Sequence, residues 1–245
     1  MANQEFRTTQ DQWANVPASV VLPVSSARKR SVPRFRFPKI PESVQRTLAK
    51  TPAALWPECT RQTFAYEEMA GQIMAQWLPS EVRRPIPCHA VLAFTSPCDH
   101  DGTTELLLGL APCLADRSPG GVLAMDANAS HPELTTRVSV EPHRHETAAP
   151  AYPTNIRQLS VLPAQVHRHL QDFTTATIDA LRDTWPLTLI DLPSLAHHHV
   201  ASFASRCDGV YLVVRLGSTP RYAVVDAARL LRKSGARLLG CLVLQ

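Results

Sequence analysis

The sequence predicts an α/β fold, a mainly parallel sheet with helices on both faces, preceded by a disordered N-terminal arm. Three observations carry this. From residue 88 onward, short apolar runs alternate with helical patterns, the rhythm of βαβ units. The runs are short and almost wholly apolar, as strands buried on both faces require. The first 55 residues break that rhythm with prolines and cations.

The arm comes first. Pro17, Pro23, Pro33, Pro38, Pro41 and Pro52 interrupt any helix, and apolar periodicity is weak over residues 1–55. Val20 to Val24 suits a short extended segment, which Pro23 would confine to a sheet edge. The whole chain of 245 residues carries a net charge of +4, but residues 1–50 hold nine basic side chains against three acids. The rest holds 16 against 18, so the basic excess belongs to the arm. Residues 28–39 mix cations with Phe35 and Phe37. That mixture suits an anionic membrane surface or an acidic partner, and equally a solvated tail. No nucleic acid partner is expected.

A helical lead-in over residues 56–84 follows. Phe64, Met69, Ile73 and Trp77 mark an apolar face at near-helical spacing over residues 60–78, and Pro79 ends it.

The domain proper is expected over residues 85–245. Ala90 to Thr95 reads as a buried strand, 99–104 as a polar loop and 104–115 as a helix shortened or kinked by Pro112. Gly120 and Gly121 make a turn into a strand at Val122 to Asp126. Residues 127–155 are rich in His and Pro and predict nothing regular. Leu159 to Leu162 is a third strand, 176–182 a helix, and Leu187 to Asp191 a strand ending in a carboxylate. A strand at 209–214, a helix at 222–233 stopped by Gly235, and a strand at Leu238 to Leu244 complete the pattern.

The six cysteines show no C-x-x-C or other metal-ligand spacing and read as small buried hydrophobes. No run of 18 uncharged apolar residues predicts a membrane span, and the polar start does not look like a secretory signal. A cytoplasmic protein is expected, peripheral to the inner membrane if the arm binds lipid.

In open parallel sheets ligands bind beyond the carboxyl ends of the strands, and three such ends are informative. Thr95 to Thr104 reads TSPCDHDGTT, followed by ELLLGLA over residues 105–111. It resembles the strand, phosphate loop and helix of the bacterial tyrosine kinases of capsule and exopolysaccharide assembly, TSxxPGEGKTTxxxNLA. These are P-loop proteins related to the ParA/MinD type. Thr95, Ser96, Gly102, Thr104, Leu110 and Ala111 match. Asp99 replaces the proline, His100 the first glycine, Thr103 the lysine, Glu105 the second threonine and Gly109 the asparagine. Val122 to Asn128 with His131, Pro132 and Leu134 resembles the family's second acidic motif, VLLVDADxRxPxL. Asp126 keeps its first carboxylate, Asn128 has lost the second, and Ser130 replaces the arginine. LTLIDLPS over residues 187–194 is similar to the Walker-B-like VIIDTPP, with Asp191 and Pro193 matching. The segments from Cys207 to Val214 and from Thr219 to Gly240 look like the next strand and the helix and strand after it.

The resemblance implies a P-loop NTPase-like fold over residues 85–245. It implies a nucleotide site at Gly102, Thr103 and Thr104, with Mg²⁺ held by Thr104, Asp126 and Asp191. Asp126 would be the vestige of the catalytic carboxylate. A P-loop holds phosphates through glycine-permitted backbone N–H groups, a helix N-terminus and one lysine. Here the lysine is gone, His100 adds a Cβ, and no lysine occurs between Lys50 and Lys233. The expectation is therefore no cofactor, with ATP and Mg²⁺ bound only if the site survives. Without a function-bearing site Thr104 is a helix N-cap, and Asp126 and Asp191 are strand-end caps.

The family's E-x-x-R-x-x-R assembly helix falls at Tyr66-Glu-Glu-Met without its arginines, and the four tyrosines are scattered rather than clustered in a tail. The expected function is thus a catalytically degenerate relative, a regulatory or scaffold component of exopolysaccharide biosynthesis. Its partner would be a protein, such as a polysaccharide-export membrane protein. A divergent active kinase or ATPase using an arginine from elsewhere, and a ParA/MinD-like positioning protein, are the alternatives. His197, His198 and His199 cannot all reach one metal from regular backbone and read as surface loop, as do His143 and His145.

Overall fold

A computed structural model describes residues 42–48, 53–57, 63–77, 89–118, 120–139, 151–164, 170 and 174–245. The basic stretch 28–39, the segment Val20 to Val24, and His143 and His145 lie outside the described residues.

Seven strands form one sheet in the order β3-β4-β2-β5-β1-β6-β7. They are β1 (Ala90–Thr95), β2 (Val122–Asp126), β3 (Tyr152–Pro153), β4 (Leu159–Leu162), β5 (Leu187–Asp191), β6 (Gly209–Arg215) and β7 (Leu238–Leu244). Every pairing is parallel except β3 with β4. The helices are α1 (Glu42–Leu48), α2 (Thr63–Trp77), α3 (Thr103–Arg117), α4 (Glu133–Arg137), α5 (Thr175–Thr184), α6 (Val200–Ala204) and α7 (Arg221–Lys233). The predicted fold class holds, and each predicted strand is present.

Strand alternation sends β1 into two cores. Ala90, Leu92 and Phe94 pack on one face with α2 and α3, through Ile73, Leu107 and Leu110. Val91 and Ala93 pack on the other with Ile178 of α5, Phe203 of α6 and Leu231 of α7. Both faces are thereby removed from water, which is why the strands are apolar throughout. At the foot of β1, Asp208 Oδ2 accepts the Val91 N–H (2.8 Å) and takes Arg182 Nε (3.2 Å), while Oδ1 takes Arg182 Nη2 (3.0 Å).

Two expectations need correction, and the end of the stretch expected as a mostly disordered arm over 1–55 carries local structure: Glu42–Leu48 is helical, with Val44 against the α5 to α7 core. Ala54 also continues the sheet beyond β3, its N–H donating to Pro153 O (2.8 Å) and its O accepting from Asn155 N (3.1 Å). Phe64 is not on the buried face of α2. It is 69 % exposed, and the face consists of Tyr66, Met69, Ala70, Ile73 and Met74. Trp77 lies outside the described side chains. Finally, Pro112 does not shorten α3, which runs to Arg117. A proline inside a helix deprives the carbonyl four residues back of its N–H donor. That carbonyl, Leu108 O, accepts instead from Trp56 Nε1 at 3.0 Å. No element was predicted for β3, α4 or α6.

Gly109 of α3 has a packing role. A Cβ there would fall inside the ring of Tyr66, so the residue that stands for the family asparagine is what lets α2 lie on α3.

Candidate functional site

The carboxyl ends of β1, β2 and β5 open into a cleft of about 730 Å³. Thr95, Ser96 and residues 97–102 carry the chain from β1 to α3. His100 and Gly102 both take positive φ, 65° and 91°. Glycine does this at no steric cost; the histidine does it with a Cβ and some strain.

Gly102 is the N-cap of α3, with no side-chain cap. The helical ladder begins with Leu106 N to Gly102 O at 2.9 Å. The N–H groups of Thr103, Thr104 and Glu105 donate to nothing among the described residues. Thr104 is thus not the capping residue that the alternative assignment made it. Its hydroxyl donates to Asp191 Oδ2 at 2.7 Å, joining α3 to the end of β5.

Asp126 and Asp191 are register partners on adjacent parallel strands, and both are buried. Burial holds the Asp191 carboxyl well above the usual carboxylate range, and the neighbouring Asp126 adds to it; the Thr104 hydroxyl partly offsets both. Asp126 is raised by burial as well, against the hydrogen bonds it accepts. Its Oδ1 takes Asn128 N (3.0 Å), and its Oδ2 takes Thr135 N (2.9 Å) and Thr135 Oγ1 (2.7 Å). Thr135 Oγ1 in turn accepts Ala164 N at 3.0 Å. Asp126 therefore fastens α4 and the segment after β4 to the end of β2.

The acids of the loop are also engaged. Asp101 is 2 % exposed. Its Oδ2 accepts Cys98 N (3.1 Å), and its Oδ1 accepts Thr219 Oγ1 (2.7 Å). Asp99 Oδ1 accepts Ser194 Oγ (2.6 Å) and lies 3.2 Å from His197 Nε2. The Ser194 hydroxyl, aided by His197, holds the Asp99 carboxyl below its ordinary value despite some burial. Of the histidine run, His197 reaches the cleft; His198 and His199 are exposed beside it. Among the described residues no cluster of three His, Cys, Asp or Glu side chains can hold a metal.

Sequence reasoning missed Arg215. It ends β6, the strand beside β1, and its guanidinium covers Gly102: a Cβ on that glycine would lie 2.5 Å from Nη2. Nη2 pairs with Glu105 Oε2 at 2.5 Å. The signal existed, since parallel strands adjacent in a sheet end at the same edge, but the neighbour of β1 cannot be read from spacing alone.

The residues present divide in their fit to Mg²⁺ and ATP. A hydroxyl and a carboxylate, Thr104 and Asp191, are the donor types Mg²⁺ takes alongside phosphate oxygens. The uncapped α3 N-terminus suits an anion. Position 103 offers a threonine that is 8 % exposed instead of a cation, and Asp126 has no oxygen left without a protein donor.

No protein-family profile and no curated protein matches the sequence. Solved structures do match. The chimerical protein CapA2B2 superposes with a TM-score of 0.61 at 18 % identity, over 82 % of this chain and 97 % of that one. The kinase domain of the Escherichia coli tyrosine kinase ETK gives 0.57 at 17 %, over 80 % and 90 %. The septum site-determining protein MinD of Pyrococcus horikoshii, complexed with Mg-ADP, gives 0.51 at 20 %, over 63 % and 69 %. The chain therefore has the P-loop NTPase-like fold found in bacterial tyrosine kinase domains and MinD-type proteins. No helix among the described residues is long and apolar enough to cross a membrane.

Proposed function

We propose that this protein is a P-loop domain that has lost phosphoryl transfer and serves as a regulatory or scaffold component of exopolysaccharide biosynthesis or export. Asp126 carries this reading. In the tyrosine kinases that the motif resembles, the carboxylates of this segment serve Mg²⁺ and activation of the attacking hydroxyl. Here one is Asn128, and the other spends both oxygens on three protein donors. A carboxylate so held is a structural clamp and is not free to take a proton from a nucleophile. The absent lysine at Thr103 removes a further stabiliser of phosphoryl charge.

The likeness to the ETK kinase domain and to other tyrosine kinase folds supports placement beside polysaccharide-assembly proteins in the cytoplasm. The basic arm is the natural contact with an anionic inner-membrane surface or with an export protein. Replacing Arg28, Lys29, Arg30, Arg34 and Arg36 by glutamine should abolish sedimentation with anionic vesicles if lipid is the contact.

The decisive experiment pairs turnover with complementation. Purified protein should release no phosphate from ATP with Mg²⁺ and should acquire no phosphotyrosine. In a deletion strain, Asp191→Ala should restore polysaccharide output as well as the wild-type chain does. Turnover that disappears in Asp191→Ala would return the protein to the enzymes.

A further inference from the structure

We infer that Arg215 supplies, from the end of β6, the phosphate-facing cation that the loop lacks at position 103, and that Glu105 is the counterion a bound phosphate displaces. The cleft would then take a phosphate-bearing ligand of the nucleotide class. This rests on the assignment of residues 95–104 as a phosphate loop and adds a binding role to a domain without turnover.

Several independent placements converge. Arg215 lies against the loop at Gly102, where a Cβ would sit 2.5 Å from Nη2 and 3.3 Å from Cζ. It is held there from behind. Its backbone N–H donates to Thr219 Oγ1 (2.9 Å), which donates to Asp101 Oδ1 (2.7 Å), so strand end and loop move as one piece. Thr103, on the first turn of α3, lines the cleft at 8 % exposure and makes no side-chain hydrogen bond among the described residues. Its hydroxyl and the three N–H groups of residues 103–105 have no protein partner among the described residues. A phosphate group supplies acceptor oxygens for all of them, and a guanidinium pairs with phosphate as readily as with a carboxylate.

The acids nearby do not prevent this. Asp101 and Asp99 are turned onto Cys98, Thr219, Ser194 and His197. Among the described residues the guanidinium of Arg215 pairs with Glu105, whose side chain is half exposed, so water can take the carboxylate when the guanidinium turns to a phosphate.

The test is titration of the full-length protein with Mg-ADP, read by calorimetry. Wild type should show saturable binding. Arg215→Gln should weaken it by about tenfold or more, the usual effect of losing one charge-assisted hydrogen-bonded pair. Glu105→Gln should tighten it. Adding Thr103→Lys to Arg215→Gln should recover the lost affinity, because the cation returns at the family's own position. No saturable binding by wild type, or equal binding by Arg215→Gln, overturns the inference; so does loss in the single variant without recovery in the double. ATP turnover in the same preparations is judged separately: it would overturn the loss of phosphoryl transfer and leave the role of Arg215 to the titration.

Discussion

Trp56 Nε1 donates to the carbonyl of Leu108 at 3.0 Å, and that carbonyl is the one Pro112 leaves without a helical donor. A residue before the predicted domain thus completes the hydrogen bonding of the helix that follows β1. Trp56→Phe should cost about 2–3 kcal/mol, chiefly from a buried carbonyl left unpaired. Pro112→Ala restores an N–H at the right place and should recover about 1 kcal/mol of that loss. Urea unfolding of the four proteins in a double-mutant cycle measures the coupling; additive effects would mean that the indole bond contributes nothing.

Asp191 should make the domain less stable as the pH rises. Its folded carboxyl titrates well above the ordinary value because burial and Asp126 oppose its charge. Between about 3.9, where the unfolded carboxyl titrates, and that higher folded value, the native state binds the extra proton. Stability from this group is present below the window and is lost as pH rises through it. Asp191→Asn should flatten the dependence and raise Tm at pH 7 by about 2–4 °C, the equivalent of ~1 kcal/mol for a domain of this size. Thermal melts from pH 5 to 8 decide it.

Thr135→Val should be among the costlier single changes. The hydroxyl donates to Asp126 and accepts from Ala164 N, so valine leaves the Ala164 N–H unpaired and removes one of the two donors on Asp126 Oδ2 at nearly constant volume. A loss of about 3 kcal/mol is expected, with Thr135→Ser recovering most of it. Denaturant midpoints at fixed pH would show this.

Gly109→Ala sets two effects against each other. Alanine favours a helix over glycine by about 1 kcal/mol, yet its Cβ would enter the Tyr66 ring. Overpacking of about 1–3 kcal/mol should win, so the variant is less stable. In a Tyr66→Ala background the sign should reverse, which unfolding curves of the pair would reveal.

The strands other than β3 were legible because their information is local: a short apolar run bounded by turn residues. Asp126 and Asp191 were found at strand ends, yet only the register of β2 on β5 shows that they face each other. Phe64 was misplaced because helical spacing names a stripe, and Tyr66, Met69, Ala70, Ile73 and Met74 make a stripe that excludes it. Pro112 was misread because its rescuer, Trp56, lies 52 residues away in sequence. Arg215 was missed for the same reason, being 110 residues from Glu105.

The sheet order also governs the birth of the protein. β1 is flanked by β5 and β6, which leave the ribosome some hundred residues after it. During synthesis this fully buried strand must wait without either neighbour, a period in which such segments associate with the wrong chains. Pairings this distant also slow folding itself. The segment at Ala54 and Trp56, made earlier still, has no strand to join until residues 153–155 exist. Chaperone demand in the cell should therefore fall on the interval between translation of β1 and translation of β6.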